Sequence, residues 1–483
     1  MSRTPADTIA ALATPAGRGG VGVIRVSGPA VPEVVRGVVG RELDPRVATL
    51  ATFRDARGAP IDQGLAILFP APGSYTGETV LELHGHGSPA AMRLLLARCL
   101  ELGARHAEPG EFTKRAFFNG KIDLAQAESV ADLIDAASAT AARAAARSLA
   151  GEFSRAVHAI VETVTGLRAF VEATLDFPDE DIEFVRASDA AVKLEAVRAD
   201  LDALLARAQT GARLAAGLVV VLVGRPNVGK SSLMNRLARD DVAIVTEVPG
   251  TTRDTVERGI EIGGIPLTVI DTAGLRETGD TVERLGIERT WNAVERADLA
   301  LVLVDARESG DGLHAEDREI LARLPQALPR IVVHNKSDLA LKGAGRVRGG
   351  PGDGGEGGSV ERSAPVGEGG SIAEDCAGTR AHLWLSALTG EGMDAREREV
   401  LAVAGVAGAG EDAFIARARH VEALREAGAR LAAAARHLKA APPPLELYAE
   451  ELRAAQNALG AITGEFTADD LLGEIFGRVC IGK

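Results

Sequence analysis

A short glycine-rich segment carries the strongest chemical signal in the sequence. Residues 224–231 read Gly-Arg-Pro-Asn-Val-Gly-Lys-Ser, which fits the spacing G-x-x-x-x-G-K-[ST] directly after an apolar run of strand length. Glycines at these positions allow backbone N–H groups to surround a β-phosphate at the positive end of the following helix. We expect Lys230 to reach the β- and γ-phosphates and the Ser231 hydroxyl to ligate Mg²⁺. The phosphate-contacting residues predicted here are Asn227, Val228, Gly229, Lys230, Ser231 and Ser232.

Three later segments predict which nucleotide binds. Asp271-Thr272-Ala273-Gly274 follows another apolar run, so Asp271 is placed to hold Mg²⁺ through water and the Gly274 amide to bond a γ-phosphate. In Asn335-Lys336-Ser337-Asp338, the last carboxylate can accept two hydrogen bonds from guanine, whereas adenine lacks that donor pair. Ser386-Ala387 would supply a backbone N–H to guanine O6. The order of these segments along the chain predicts GTP binding.

The elements around these motifs alternate between strand and helix. Such a rhythm is typical of a parallel, doubly wound sheet. On both sides the sequence is rich in alanine with helical periodicity, beginning at a capping-box pattern of Asp123 and Gln126 and breaking near 177–179 and 442–444. The predicted strands of the alternating segment are Leu218–Val223, Leu267–Ile270, Ala300–Val304 and Ile331–Val333.

These patterns predict a multidomain α/β chain. An N-terminal α+β domain occupies residues 1–119, with strands at 8–13, 22–26, 66–68 and 79–83 and a helix at 89–102. A discontinuous helical domain covers 120–212 and 406–483, and a Ras-like P-loop GTPase domain at 213–405 is inserted into it. Residues 343–370 include 12 glycines and predict a disordered loop.

Bulk composition excludes several classes of protein. The formal charge is −14 and no Lys/Arg-rich run is present, so any contact with RNA is expected to be local or shared with another protein. No apolar run reaches the ~18 residues that cross a bilayer, and prolines near the N-terminus interrupt any secretory core. The three cysteines lie far apart without CxxC spacing, which is typical of a reducing compartment. We therefore expect a cytoplasmic protein without a membrane segment.

Further segments narrow the class of GTPase. Leu275 occupies the position where Ras-type enzymes carry a water-orienting glutamine, and an apolar side chain cannot polarise water. Gly250-Thr251-Thr252-Arg253-Asp254 lies upstream of it. Other distinctive segments are residues 14–28, 75–78, 81–87, 118–121, 123–128, 466–472 and the final Cys480-Ile481-Gly482-Lys483. Together these residues resemble the MnmE (TrmE) family of tRNA-modification GTPases over nearly the whole chain.

The resemblance implies how GTP is hydrolysed. Thr252 would join Ser231 as a ligand of Mg²⁺, and Glu283 would orient the attacking water through a second water. The alternative for Glu283 is a solvated carboxylate near the start of a helix. A K⁺ ion would place positive charge where transition-state charge develops, once two G domains meet face to face. The implied holders of K⁺ are Asn227 and the carbonyls of Thr246, Val248 and Thr251, and the GTP contacts include Thr246, Thr251 and Thr252.

For the N-terminal domain the resemblance implies a folate one-carbon donor, 5-formyl- or 5,10-methylene-tetrahydrofolate, and the homodimer contact. A carboxylate can bind the guanine-like edge of a pterin, and cations suit the glutamyl tail. Without the resemblance, an arginine at a strand end is typical of a surface ion pair. His84 and His86 lack metal-ligand partners and are interpreted as loop or dimer-surface residues. The implied folate-binding residues are Arg25, Glu82, Lys121 and Lys483.

The implied function is a K⁺-stimulated GTP hydrolase that acts with a flavin-binding partner, the FAD-binding protein MnmG (GidA), in a heterotetramer. The pair would install a carboxymethylaminomethyl or aminomethyl group at C5 of the wobble uridine (U34) of certain tRNAs. Cys480 would be required for modification, although a lone cysteine is ordinarily a small buried hydrophobe. The alternative is a GTPase switch of the ribosome-assembly type without modification chemistry.

Overall fold

The structure, a computed structural model, describes residues 7–176, 190–240, 243–244, 256–271, 293–308, 313–340, 379–404, 414–440 and 443–465. The chain divides into two units. The first spans Met1–Ala136, Ala142–Ala215 and Asp412–Lys483, and the second spans Ala137–Ala141 and Ala216–Glu411. The predicted helix break at 177–179 and the predicted glycine-rich loop at 343–370 lie outside the described residues.

A mixed sheet begins the first unit. Its six described strands lie in the order β3-β4-β5-β2-β1-β6, antiparallel except for the β1–β6 pair. The four predicted strands are confirmed, whereas β3 and β6 were not predicted because one has only two buried apolar residues and the other is three residues long. The strands are β1 (Thr8–Leu12), β2 (Gly19–Ser27), β3 (Thr49–Arg54), β4 (Pro60–Phe69), β5 (Val80–Gly87) and β6 (Ala104–His106).

The two faces of this sheet carry different side chains because residues alternate along a strand. Ile24 and Leu83 are paired in register and belong to a buried core that also includes Met92 of helix Pro89–Glu101. The neighbouring register pair, Arg25 and Glu82, therefore lies on the opposite face. The other helices beside this sheet are Val31–Val34, continued by a π-helical turn at Val35–Val39, and Glu111–Phe118.

Helices complete the first unit, and segments far apart in sequence share one core. Phe153 stacks on Phe414 with ring centroids 4.8 Å apart, so residues before and after the inserted segment pack together. The discontinuous helical domain is thus confirmed. The predicted capping box is also present, since Asp123 accepts from the Gln126 N–H and the Gln126 side chain accepts from the Asp123 N–H. The helices are Leu124–Asp135, Ala139–Leu149, Glu152–Asp176, Ala190–Ala216, Ala418–Leu438 and Leu445–Thr463.

A buried carboxylate ties these helical segments together. Glu128 is 1% exposed and accepts from Arg419 at 2.8 and 2.6 Å, while His420 Nε2 lies 2.8 Å from its Oε2. Arg419 also donates to the carbonyls of Ala461 and Ile462, near the end of the last described helix. Burial alone would raise the pKa of Glu128, but the close contact with His420 and the hydrogen bonds from Arg419 outweigh it and lower the pKa to about 2.

Glu128→Gln is expected to lower the free energy of unfolding by about 3 kcal/mol at neutral pH, because Arg419 loses a buried counter-charge. Native stability should also fall with acid. The pKa of Glu128 is lowered from 4.5 and burial lowers that of His420 from 6.5, so the unfolded state binds more protons below those values. Urea unfolding followed by circular dichroism tests both effects, with the exposed Glu422→Gln as control. A Glu128→Gln protein with native stability and native acid sensitivity would contradict the assignment.

The second unit contains a doubly wound sheet with seven described strands in the order β13-β12-β11-β7-β10-β9-β8. The strands from β13 to β10 are parallel, and β9 and β8 are antiparallel. The four predicted strands are confirmed. The apolar runs of β7, β11 and β12 reflect burial on both faces, whereas Thr268 of β10 is exposed. The strands are β7 (Leu218–Val223), β8 (Ala243–Ile244), β9 (Val256–Ile262), β10 (Ile265–Asp271), β11 (Leu299–Asp305), β12 (Arg330–Asn335) and β13 (Thr379–Trp384).

Helices follow β7, β11, β12 and β13. They are Lys230–Asp240, Ala315–Arg323, Ser337–Ala340 and Met393–Ala404. Because β7, β10, β11 and β12 run parallel, their carboxyl ends meet at one edge, where ligands bind in such folds. Within the described ranges, no helix has the length and apolar character needed to cross a membrane.

Candidate functional site

The glycine-rich segment forms a loop between strand β7 and helix Lys230–Asp240. Gly224 has φ +150°, and a Cβ there would lie 2.3 Å from the Leu303 carbonyl oxygen. Gly229 has φ +101°, and a Cβ there would lie 2.2 Å from Asn335 Nδ2. Both positions exclude any other residue type by conformation and by space. The loop is thus fixed in a compact form ahead of the helix that was predicted to face the phosphates.

Lys230 lies inside this loop. Its Nζ donates to the carbonyl oxygens of Gly224 at 2.7 Å and Arg225 at 3.0 Å. Burial lowers the pKa of Lys230, and the charge of Asp271 partly offsets the effect. Among the described residues, only carbonyl groups accept from this buried ammonium, so it would gain from an anionic ligand, which agrees with the predicted phosphate contact.

The two described residues predicted to serve Mg²⁺ are brought together. Ser231 Oγ donates to Asp271 Oδ2 at 3.2 Å, so a hydroxyl and a carboxylate from β10 share one point of the site. Oxygen ligands of this kind, few in number, suit Mg²⁺, which keeps several of its waters. The residues the structure describes contain no group of three or more His, Cys, Asp or Glu that could hold a metal by themselves.

Asn335 links three of the predicted motifs. Its Nδ2 donates to the Val228 carbonyl at 2.8 Å, and its Oδ1 accepts from the Ala387 N–H at 3.0 Å. The buried amide therefore fixes three segments relative to one another: the phosphate loop (residues 224–231), the Asn-Lys-x-Asp segment (residues 335–338) and the Ser386-Ala387 turn. Any contact of the Ala387 N–H with guanine O6 would have to share this N–H with Asn335.

Lys336 makes a second link between the motifs. It adopts φ +68°, and its Nζ donates to the Asn227 carbonyl at 2.7 Å and to Asp305 Oδ2 at 2.8 Å. Arg307 hydrogen bonds hold the pKa of Asp305 well below its usual range, so the carboxylate stays charged. Asp305 was missed in the sequence because the predicted strand ended at Val304. The available signal was an aspartate at the carboxyl end of a parallel strand, as at Asp271.

Asp338 lies at the start of helix Ser337–Ala340 beside these links. It is half-buried, and no hydrogen-bond donor among the described residues reaches its carboxylate. Ser386 is fully buried, whereas Leu388 is 81% exposed at the same turn. A partly desolvated acceptor without a protein partner has the character required to bind the guanine edge.

Gly229→Ala is expected to weaken GTP binding at least about tenfold and to lower the stability of the second unit by about 1–3 kcal/mol. The added methyl group would collide with the Asn335 amide in a left-handed backbone conformation. Fluorescent-nucleotide titration and thermal unfolding measure the two effects. Gly428→Ala is the control, because its Cβ would meet only Leu201 at 3.7 Å inside a helix. Native GTP affinity in Gly229→Ala would show that the loop tolerates the strain.

A second polar site lies on the face of the N-terminal sheet opposite helix Pro89–Glu101. Arg25 Nε donates to Glu82 Oε1 at 2.9 Å, and His84 Nε2 lies 3.2 Å from Glu82 Oε2. The Arg25 guanidinium also lies over the Tyr75 and Phe112 rings, 5.6 and 5.8 Å from their centroids. Two residues predicted for this site, Arg25 and Glu82, are thus in direct contact.

The structure corrects the interpretation of His84 and His86 as loop residues, and their placement on a dimer surface stays a prediction. His84 and His86 are not loop residues, because both belong to strand β5, and His84 shares the face of Glu82. Period-two alternation in Leu-Glu-Leu-His could have indicated this placement. Lys121 Nζ donates to the Pro72 carbonyl at 3.1 Å, close to the Gly77 turn.

Several predicted site residues lie outside the described residues, and their roles stay predictions. They belong to the proposed metal, hydrolysis, folate and modification sites. They are Thr246, Val248, Thr251, Thr252, Gly274, Glu283, Cys480 and Lys483.

The loop at residues 224–231 lies between a buried parallel strand and a helix, and a serine–aspartate pair lies beside it. The Asn-Lys-x-Asp segment is hydrogen-bonded to the same loop. These features define a P-loop GTPase with a Ras-like sheet. Two family models match the chain: "MnmE helical domain" over residues 124–480 and "GTP-binding protein TrmE N-terminus" over residues 8–121. The chain belongs to the MnmE (TrmE) family.

Curated relatives match over their full length. A protein from Azoarcus sp. (strain BH72) is 55% identical over 479 residues, covering 99% of this chain and 98% of that protein. One from Neisseria meningitidis serogroup C (strain 053442) is 56% identical over 476 residues, covering 99% of each. Both are named "tRNA modification GTPase MnmE".

Solved structures similar to part of the chain include the G domain of the T. maritima FeoB iron transporter. It is 21% identical, covering 39% of this chain and 98% of that chain, with a TM-score of 0.27. Era from Aquifex aeolicus is 23% identical over 44% of this chain and 66% of that chain, with a TM-score of 0.26. TM-scores this low carry no inference about this chain.

Proposed function

We propose that this chain is a K⁺-stimulated GTP hydrolase that takes part in modifying C5 of the wobble uridine of certain tRNAs. The observation that supports GTP as ligand is the double link of Asn335 and Lys336 to the phosphate loop, beside the half-buried Asp338 carboxylate. The tRNA role is supported by relatives more than half identical over nearly the whole chain and named tRNA modification GTPases.

For hydrolysis, the residues divide the work between binding and charge stabilisation. Lys230 would contact the β- and γ-phosphates. Ser231 would ligate Mg²⁺ directly, and Asp271 would hold it through water. K⁺ would add positive charge near the transferred phosphoryl group, beside Asn227. The Asn227 backbone is already fixed by the hydrogen bond from Lys336, and its side chain is exposed. Because Leu275 cannot orient water, we propose Glu283 for that task.

The Arg25–Glu82 site fits a folate ligand in its chemistry. Glu82 is a partly buried carboxylate that could accept from the paired N–H donors of a pterin, and Arg25 is already held in place by it. Tyr75 and Phe112 provide ring surfaces beside the pair. Tetrahydrofolate would supply a one-carbon unit when bound, and Lys121 and Lys483 would serve its acidic tail.

The division of labour among the parts of the chain follows the predicted domains. We assign folate binding and homodimer contact to residues 1–119, the helical domain to 120–212 and 406–483, and the nucleotide cycle to 213–405. A flavin-binding partner, MnmG (GidA), would complete the modifying complex, and the cytoplasm would be its place of work. GTP hydrolysis would drive association and dissociation of the G domains and so time the modification.

Mass spectrometry of tRNA nucleosides tests this function. Cells lacking the gene would be re-supplied with the native chain or with Cys480→Ser. The native chain should restore the C5-modified wobble uridine, and the Cys480→Ser protein should restore at least about tenfold less, because serine lacks the acidity of a thiol. Cys99→Ser, a change at a buried cysteine, is the matched control. Modified uridine present without the gene would leave only the GTPase switch of the ribosome-assembly type.

A further inference from the structure

A cavity of about 440 Å³ lies on the helix side of the N-terminal sheet. It is bounded by the turn that joins β1 to β2 and by helix Pro89–Glu101. Gly22 lines it and faces Met92 of that helix, whereas Arg25 points to the opposite side of the same strand. The cavity is therefore distinct from the Arg25–Glu82 site. Its volume falls in the range of about 300–1,000 Å³ that holds small organic ligands.

The lining combines an apolar surface with two positive charges. Leucine, valine and methionine side chains form the apolar part, and two guanidinium groups, Arg18 and Arg93, border it. Both arginines are exposed, and neither forms an ion pair within the part of the chain that the structure describes. In a chain of net charge −14, two unpaired cations at one cavity favour an anionic ligand with an apolar ring. The apolar lining residues are Leu12, Val21, Met92 and Leu96.

At one glycine of this lining, neither backbone conformation nor packing requires glycine. A Cβ on Gly22 or Gly87 would lie 2.5 Å from a neighbouring atom, so packing explains both. Gly19 instead has an ordinary φ, and a Cβ there would lie no closer than 3.5 Å to its neighbours. The register shift between Gly19 and Gly22 places Gly19 on the helix side as well, since it pairs with Gly87. A bare backbone at this wall allows close approach by a ligand.

We propose that this cavity binds one nucleotide, with its phosphate between Arg18 and Arg93 and its base on the apolar surface. A nucleoside monophosphate matches the cavity in size and in its combination of ring and dianion. The nucleotide could be free or could belong to tRNA, and the second source rests on the proposed function. In that case the cavity holds one unstacked nucleotide of the bound tRNA, which is how proteins commonly bind RNA bases.

Two binding experiments on the full-length, GDP-saturated chain test the proposal. UMP is titrated by calorimetry, and tRNA by fluorescence anisotropy at several salt concentrations. Arg18→Gln should weaken whichever ligand binds about tenfold, and lower the salt slope for tRNA by about one. Gly19→Val should do the same by filling space. The matched controls are Arg57→Gln, an exposed arginine of the β3–β4 turn, and Gly20→Val, which does not line the cavity.

The outcomes separate the two sources. If the two variants weaken binding of UMP but not of tRNA, the natural ligand of the cavity is a free nucleotide. If they weaken binding of tRNA, whether or not UMP binding also changes, the ligand is a nucleotide within RNA. Equal binding by all variants, or no binding of either ligand by the native chain, overturns the proposal. Thermal unfolding shows whether Gly19→Val remains folded. If Gly19→Val does not fold, the binding measurements on Arg18→Gln alone decide the proposal. Loss of this proposal with normal restoration of tRNA modification would leave the proposed function intact.

Discussion

Asp338→Asn should weaken GTP binding about 10³-fold or more and transfer the preference of the site to xanthosine triphosphate. The native carboxylate is half-buried at the start of helix Ser337–Ala340, with no donor to it among the described residues. Guanine can supply two donors to that group, and binding would satisfy its desolvated oxygens. An asparagine presents one acceptor and one donor, so its NH₂ would face the guanine N2–H₂, whereas the second carbonyl of xanthine accepts from it.

The measurement is a competition titration of GTP and XTP against a fluorescent guanine nucleotide. Asp394→Asn, an exposed carboxylate in helix Met393–Ala404 of the same unit, is the control and should keep native affinity. The links made by Asn335 and Lys336 should persist in the variant, so thermal unfolding should change little. Unchanged preference for GTP in Asp338→Asn would remove the predicted role of this residue.

Glu283→Ala should slow GTP turnover by about 10²–10⁴-fold while leaving GTP affinity within a factor of two or so. Positioning of the attacking water contributes to the transition state and hardly to ground-state binding, so kcat falls and Kd does not. The control is Glu295→Ala, an exposed glutamate in the same unit. Single-turnover rates in K⁺ and in Na⁺ give the comparison. Normal turnover by Glu283→Ala in K⁺ would assign water orientation to another group.

The parts of the nucleotide site that follow from local sequence were predictable. Leu218–Val223 was predicted with its observed bounds, because a six-residue β-branched run between turn residues has few alternatives. The loop at residues 224–231 and Asp271 at the end of β10 follow from spacing and order alone. The Asp123–Gln126 capping box was also predicted correctly, since it depends on residues three apart.

Contacts between distant segments could not be predicted in this way. The hydrogen bond from Asn335 to the Val228 carbonyl joins residues 107 apart, and the contact depends on the packing of β7, β11 and β12. The Arg25–Glu82 contact likewise depends on the register of β2 with β5, which a shift of one residue would abolish. Strand β9 escaped prediction because Val-Glu-Arg-Gly-Ile-Glu-Ile has only a short alternation and an internal glycine.

The split core of the helical segments sets an order for folding during synthesis. Arg168 hydrogen-bonds Gln456, 288 residues further along, and the buried face of helix Glu152–Asp176 packs on helix Leu445–Thr463. A ribosome adds about 5–20 residues per second. Apolar side chains such as Val157 and Val164 are therefore synthesised tens of seconds before the residues of helix Leu445–Thr463 that share their core. A nascent chain of this protein therefore exposes a hydrophobic helix pair throughout translation of the GTPase domain, and chaperone binding should be strongest in that interval.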